Sequence, residues 1–380
     1  MERRMVIGGD VFPQQTEVNL FEEGRIEQLF SQEVLELFQN SDFSICNLEG
    51  VLTNCDVKRP KCGPNIKASP NAIQAIKRLG VDCVSLANNH ITDYGLSGFQ
   101  DTISCLKENG IDYFGAGENT CSIIPYYQKD IWGKRFIFYA VAETVFNIPA
   151  DDDAGANLYD EYRVCNELKA LRGRCDYLIV LYHGGAEYFQ YPTPWIRTRF
   201  HRMADSGADC VIAQHTHCIV AEEYYNGAYL LFGQGNFYLR QSKYPSMTRN
   251  GLLLELSVLE GSLQVKRHLV HLDGNMVAFQ TPQDLTGFLE RSRRLAEGDL
   301  FEKEFSEYSQ GWFVKWLLEF RGLCFKDRLL RKLMSADKFY HYLRTNYSDH
   351  TVLRMLEHVR GEEDVEVMQR GLEDFFRARK

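Results

Sequence analysis

Short apolar runs that each stop on a metal-ligand type of side chain punctuate the first two-thirds of this 380-residue chain. Met5-Val-Ile runs into Gly8-Gly9-Asp10, Phe43-Ser-Ile-Cys into Asn47-Leu48-Glu49, and Cys83-Val-Ser-Leu-Ala into Asn88-Asn89-His90. Tyr177-Leu-Ile-Val-Leu-Tyr runs into His183, and Asp209-Cys-Val-Ile-Ala-Gln into His215-Thr216-His217. An apolar run of this length buries itself in a sheet as a strand, so the polar residue after it is delivered to the sheet's end. Two imidazoles spaced i, i+2 in an extended chain or tight loop can both be aimed at one metal cluster.

Between these runs the first 270 or so residues alternate strands with helices, as in a layered α/β protein. Residues 71–79 read as a helix after the turn-forming Ser69-Pro70, and 95–109 as another, with Leu96, Phe99, Ile103 and Leu106 at helical spacing and Gly110 as its stop. Residues 133–142 read as a strand, 162–172 as the helix before the His183 strand, and 195–204 as the helix before the His215 strand. From Ala221 the texture turns antiparallel. Asn226-Gly227 is a strong hairpin turn, and a second hairpin, 252–259 with 263–272, folds about Glu260-Gly261. Two sheets packed face to face accommodate these elements. Past Pro282 the pattern is helical and charged, with apolar stripes at 285–295, 312–320 and 353–359. The expected division is therefore a domain at 1–280 and a helical extension at 281–380. The basic clusters of that extension, Arg291-Ser-Arg-Arg294 and 326–332, are interleaved with acids and read as solvated helix faces.

Composition limits the function classes. A hydrophobic content of 44% supports one large core with an appendage. A net charge of -9 argues against broad nucleic-acid binding, so no nucleic-acid partner is expected. The 11 cysteines are odd in number and never spaced C-x-x-C, which fits reduced thiols in the cytoplasm. Met1-Glu-Arg-Arg-Met leads straight into the first strand with no apolar signal core, and no apolar run reaches the length of a membrane span. A cytoplasmic location is expected, with peripheral attachment to a membrane as the alternative.

The motifs Gly9-Asp10, Asn47-Leu-Glu-Gly50, Ser85-Leu-Ala-Asn-Asn-His-Ile-Thr-Asp-Tyr-Gly95, Gly115-Ala-Gly-Glu-Asn119, His183-Gly-Gly-Ala-Glu-Tyr188, His215-Thr-His217 and Gly233-Gln-Gly-Asn-Phe237 occur in the order found in CapA proteins. That family of poly-γ-glutamate capsule-synthesis proteins is similar to the calcineurin-like metallophosphoesterases, and the resemblance covers about residues 5–240. It implies a four-layer αββα sandwich of the metallophosphoesterase type, followed here by the helical extension. It also implies two divalent metal ions (manganese, iron or zinc), with Asp10 and His217 on the first, Glu49 bridging, and Asn89, His183 and His215 on the second. His90 is then placed beside the ions as a proton or hydrogen-bond donor, with Asp93 orienting its other ring nitrogen. Phe12 stands where the larger superfamily carries a histidine ligand, Glu49 where it carries aspartate, and Gln214 where it favours glycine.

Each residue alone also has a structural reading. Asp10 and Asn89 can cap helices or hold turns, His90 can be a hydrogen-bonded core histidine, and Gly233-Gln-Gly-Asn236 can be a tight rim loop rather than a ligand contact. For substrate, the turn-rich segment 58–67 concentrates Lys58, Arg59, Lys61 and Lys67 after Glu49, either as an anion clamp, with Lys61 and Lys67 foremost, or as a solvated loop. Glu187 and Tyr188, with 191–195 and Arg197, are the candidate opposite wall, and Asn236 a further contact. Three functions stay open: a metal-dependent hydrolase or transferase acting on an anionic polymer or phosphorylated precursor in capsule or envelope synthesis, a weakly catalytic metal-binding subunit of a membrane-linked capsule synthase, and a nucleotide phosphohydrolase or nuclease.

Overall fold

The strand Met5–Val11 is buried at every residue because it lies inside a sheet with a parallel neighbour, Phe43–Leu48, on one side and antiparallel Asn250–Leu259 on the other. The structure, a computed structural model, describes residues 3–13, 16–61, 63–144, 154–240, 244–281, 285–320, 338, 361 and 365–371, with the backbone alone at 313–320. The first sheet runs in the order Met276–Phe279, Ser262–Asp273, Asn250–Leu259, Met5–Val11, Phe43–Leu48, Cys83–Ser85, Asp112–Phe114, and Asn236–Tyr238 pairs in parallel with Met5–Val11. The second runs Glu222–Tyr225, Ala228–Leu231, Cys210–Gln214, Tyr177–His183, Lys134–Ala142, Tyr126–Ile131. The central strands of each sheet are mutually parallel, which explains their unbroken apolar runs: both faces are covered.

The two sheets face one another across a shared core. Phe43 of the first lies 5.5 Å from Phe138 of the second, and the Tyr177 hydroxyl donates to Gly261 O at 2.8 Å. Helices cover the outer faces: Phe38 of Gln32–Gln39 stacks on Phe237 at 5.2 Å, and Phe200 of Pro194–Asp205 meets Tyr182 edge-on at 5.4 Å. The order is therefore αββα, as the resemblance implied. Both hairpin turns have positive φ at their two central residues, Asn226 and Gly227 (49° and 86°) and Glu260 and Gly261 (50° and 80°). That is the turn whose twist matches the flanking strands. The edge strand Tyr126–Ile131 is exposed or half-buried at every residue but Ile131, so its polar residues hide its periodicity in the sequence.

The chain divides into two units, Met1–Arg59 with Asn65–Leu300, and Pro60–Pro64 with Phe301–Lys380. The helix Thr286–Ala296, in the stretch read as an extension, groups with the first unit, and Arg291 donates to Ile219 O and Val220 O. In the second unit, Arg370 pairs with Glu302, and its guanidinium lies 5.9 Å from the Phe305 ring centroid. The apolar stripe at 353–359 and the basic cluster at 326–332 lie outside the described residues. The nine cysteines among the described residues are all free, and five of them are buried. No helix of the described residues is long and apolar enough to cross a membrane.

Candidate metal centre

Strand register delivers the ligand-type residues to one place. Asp10 is level with Asn47, and Asn47 with Ser85, in the first sheet; Ala142, His183 and Gln214 are level in the second. Glu49, the Asn88-Asn89-His90 turn, Glu143 and His215 follow directly, so both sheets present their carboxyl ends to the same region. Gly9 sits where the first strand shifts register, and a Cβ there would lie 2.6 Å from Gly235 O. Only glycine lets the two loops approach so closely.

Ligand atoms of Glu49, His215 and His217 lie within 4.8 Å of one another. His183 Nε2 is 3.6 Å from Glu49 Oε1 and 3.0 Å from Asn89 Oδ1, and the His183 and His215 rings are 4.8 Å apart. Asp10 accepts from Asn47 Nδ2 at 2.7 Å through Oδ1 and from the His215 backbone N–H at 3.0 Å through Oδ2. All six proposed ligands are nearly inaccessible to solvent. Burial, with the neighbouring imidazoles of His215, His217 and His90, holds the His183 pKa well below its ordinary value. Burial also lowers that of His215, against the pull of Glu187. The neutral form of each ring, with one unprotonated nitrogen, is thus favoured.

His215 Nδ1 is buried with no hydrogen-bond partner among the described residues. A buried polar atom left this way calls for an ion or another polar group beside it. His217 Nδ1 is bonded to Asn236 Oδ1 at 3.0 Å, which leaves Nε2 as its ligand atom, the arrangement that orients metal-binding histidines. Carboxylate, amide oxygen and imidazole together suit manganese, iron or zinc. The residues present therefore fit a divalent metal centre. Positive φ at Tyr188, His215 and His217 (63°, 83° and 52°) marks backbone held in a sparsely populated region, as functional loops often are.

His90 and Asp93 are brought together: His90 Nδ1 is 2.7 Å from Asp93 Oδ2, which also accepts from Ile66 N at 2.6 Å. Glu187 Oε1 comes within 4.0 Å of His215 Nε2, and the Tyr188 ring lies 5.9 Å from that of His217 and 5.3 Å from exposed Tyr244. Burial, with Glu187 and Glu49 nearby, raises the Tyr188 phenol pKa. Asn236 is buried and bonded to His217, Leu239 O and Thr248 O. Lys67 is turned onto Cys55 O and Asp56, at 2.6 and 2.7 Å, beside the Tyr94 ring. Lys61 falls in the segment grouped with the second unit. Arg197 pairs with Glu223 at 2.7 Å. Phe12 is fully buried in the core and supplies no ligand atom.

Three groups went unread in the sequence. Asn47 Nδ2 lies 3.1 Å from His183 Nδ1 as well as donating to Asp10, so one amide orients a residue from each sheet. Asn88 Nδ2 donates to Asn47 Oδ1 and Leu48 O. Glu143, buried, accepts from the Tyr182 hydroxyl at 2.7 Å, from Arg199 at 3.0 Å and from Gly185 N at 3.2 Å, and so holds the loop after His183. A Cβ on Gly184 would lie 2.5 Å from Glu143 Cγ, which accounts for that glycine. Its signal was available: Glu143 directly follows the apolar strand Lys134–Ala142, as Asp10 follows the apolar run 5–7.

The family model for the bacterial capsule synthesis protein PGA_cap matches residues 4–241. The capsule biosynthesis protein CapA of Bacillus anthracis is 29% identical over 212 residues, covering 53% of this chain and 52% of that protein. The PGA biosynthesis protein CapA of Bacillus subtilis is 26% identical over 239 residues, covering 59% and 60%. A probable polyglutamine synthesis accessory protein of Mycobacterium tuberculosis is 26% identical over 224 residues, covering 54% and 58%. The chain thus spans just over half the length of these relatives. Among solved structures, a phosphatase from Mycoplasma pneumoniae is similar at a TM-score of 0.45 and 13% identity, over 75% of this chain and 96% of that one, too distant to bear on chemistry. With its matched segment carrying every residue of the candidate centre, the chain belongs to the family of bacterial capsule synthesis proteins described by PGA_cap.

Proposed function

We propose that the chain is a metal-dependent hydrolase or transferase of capsule or envelope polymer synthesis, working on a phosphorylated or amide-linked anionic precursor. It would act in the cytoplasm or at the surface of a membrane-bound synthase. The convergence of Asp10, Glu49, Asn89, His183, His215 and His217 from both sheets carries this reading. In it, Asp10 and His217 would hold one ion and Asn89, His183 and His215 another, with Glu49 as a carboxylate available to both. What such ions supply when bound is Lewis acidity and a water acidic enough to act as nucleophile near neutral pH. The chain's own residues orient and move protons. Asp93 holds the Nδ1 side of His90, which leaves Nε2 as the nitrogen that would donate to a leaving oxygen, and Asp93 would stabilise the imidazolium before that donation. Glu187 and Tyr188 form the wall against which substrate is oriented.

Metal content by elemental analysis of untagged protein tests the reading, run beside Glu49→Gln and His215→Ala. About two ions per chain in the parent, with a loss of at least one in each folded variant, are expected from the residues assigned here. One ion or none, unchanged in both variants, would overturn it. Phe12 supports a second reading, a metal-bound but weakly catalytic subunit of a capsule synthase, because its ring leaves the first position one ligand short. Full metal occupancy without turnover of phosphoesters or γ-glutamyl polymers would favour that reading.

A further inference from the structure

A cavity of about 270 Å³ opens beside the metal-centre rim, lined among others by Gln190, Ser246, Met247, Leu269, Phe288 and Arg291. Its walls follow the rim in sequence: Gln190 is two residues past Tyr188, and Ser246 two past Tyr244. Arg291 is its only charged lining residue among those described. Nε donates to Val220 O at 2.8 Å and one terminal nitrogen, Nη2, to Ile219 O at 2.9 Å, while Nη1 has no acceptor among the described residues. Carbonyl dipoles satisfy hydrogen bonds without cancelling the charge. On the same helix, Arg293 pairs with Glu290 and Glu297, and Arg294 with Asp299. Arg291 alone of the three has no carboxylate, in a chain where 52 acidic residues outnumber 43 basic ones. The Tyr191 ring faces the guanidinium at 6.0 Å, and burial lowers the pKa from the ordinary arginine value, as for a cation drawn partly out of water.

We propose that this cavity binds a carboxylate carried on a short aliphatic chain. The carboxylate sits on Arg291 Nη1, the Gln190 amide and the Ser246 hydroxyl are within the same lining to meet its second oxygen, and the chain lies along Met247, Leu269 and Phe288. A single guanidinium and an apolar floor suit a monoanion with methylenes better than a phosphate dianion. Because Arg291 grips the two carbonyls that follow His217-Cys218, an occupant would sit against the loop that carries His217. The proposal stands without the metal-centre reading.

Calorimetric titration of the full chain with valerate, valeramide and inorganic phosphate tests it, on the parent, Ser246→Trp and His215→Ala. Ser246 is exposed, so the indole fills the cavity without disturbing the core, and Gln190→Trp fills it from the other wall should the first variant unfold. Valerate should bind once per chain, at least tenfold more tightly than valeramide or phosphate. That binding should fall at least tenfold in the tryptophan variant and persist in His215→Ala. Absence of valerate binding, equal binding of valeramide, preference for phosphate, or binding that survives the tryptophan would each overturn the proposal. Loss in His215→Ala alone would place the anion at the metal centre and overturn it too.

Discussion

Two neutral amides show how little chemistry is needed to set an imidazole. Asn236 Oδ1 holds His217 Nδ1 at 3.0 Å, while its Nδ2 ties Leu239 O and Thr248 O into the same loop. Removing such an orienting partner typically weakens metal affinity by about 10–100-fold. Asn236→Ala is expected to show a loss of that size in competition titration against a chromogenic chelator. Asn236→Asp, which keeps an acceptor for His217, should recover most of it; equal loss in both would assign Asn236 to the loop rather than to the histidine. Asn47 works through its other end: its Nδ2 donates to Asp10 Oδ1 and lies 3.1 Å from His183 Nδ1. These amides lie within the sequence motifs, yet nothing in the sequence says which atom faces which ring.

At the level of elements, Glu143 links the strand Lys134–Ala142, the loop after His183 and, through Arg199, the helix Pro194–Asp205. Glu143 is almost wholly buried, and Arg199 lies 4.7 Å from the Tyr159 ring centroid. Breaking a buried pair by removing one partner costs about 3–5 kcal/mol because the other charge is left uncompensated. Glu143→Ala should lower unfolding free energy in urea by roughly that much, whereas a Glu143→Leu, Arg199→Met double variant should be less destabilised than the single change. The same helix is tied to the strand Glu222–Tyr225 by Glu223, which meets Arg197 and His201. Burial raises the Glu223 pKa, but hydrogen bonds from Arg197 and His201 outweigh it and leave the carboxyl below the ordinary 4.5. Since the unfolded chain then binds the proton more readily, the stabilisation is complete above the ordinary value and fades as pH falls through the folded one. Acid titration of thermal stability should therefore be shallower in Glu223→Gln. An unchanged slope would show that the pair does not hold in solution.

Over the whole first unit, the candidate centre draws its ligands from both sheets, so an ion bound there joins them. Anything that binds only the folded state stabilises it by mass action, about 2.7 kcal/mol at a hundredfold excess over Kd. Chelation should lower the melting temperature by several degrees, reversibly on adding metal back, with no such response in His215→Ala. A chelator-insensitive melt in the parent would mean that metal is not bound by the folded form.

The sequence by itself determined the central strands and the residues on which their apolar runs stop. Apolar runs covered on both faces have to be central parallel strands, and Asn226-Gly227 and Glu260-Gly261 specify their hairpins through local φ alone. Those are short-range properties, so Asp10, Glu49, Asn89, His90, His183, His215 and His217 were legible as strand-end residues. Only the tertiary structure decided which of them meet and how. The face-to-face approach of two sheets sets the 3.6 Å between His183 and Glu49, residues 134 positions apart in the chain. Lys67 on Cys55 and Asp56, Arg197 on Glu223, and Arg291 without a carboxylate follow from the same cause. A long charged side chain goes where packing leaves it a partner or a space, and that depends on neighbours the local sequence does not contain.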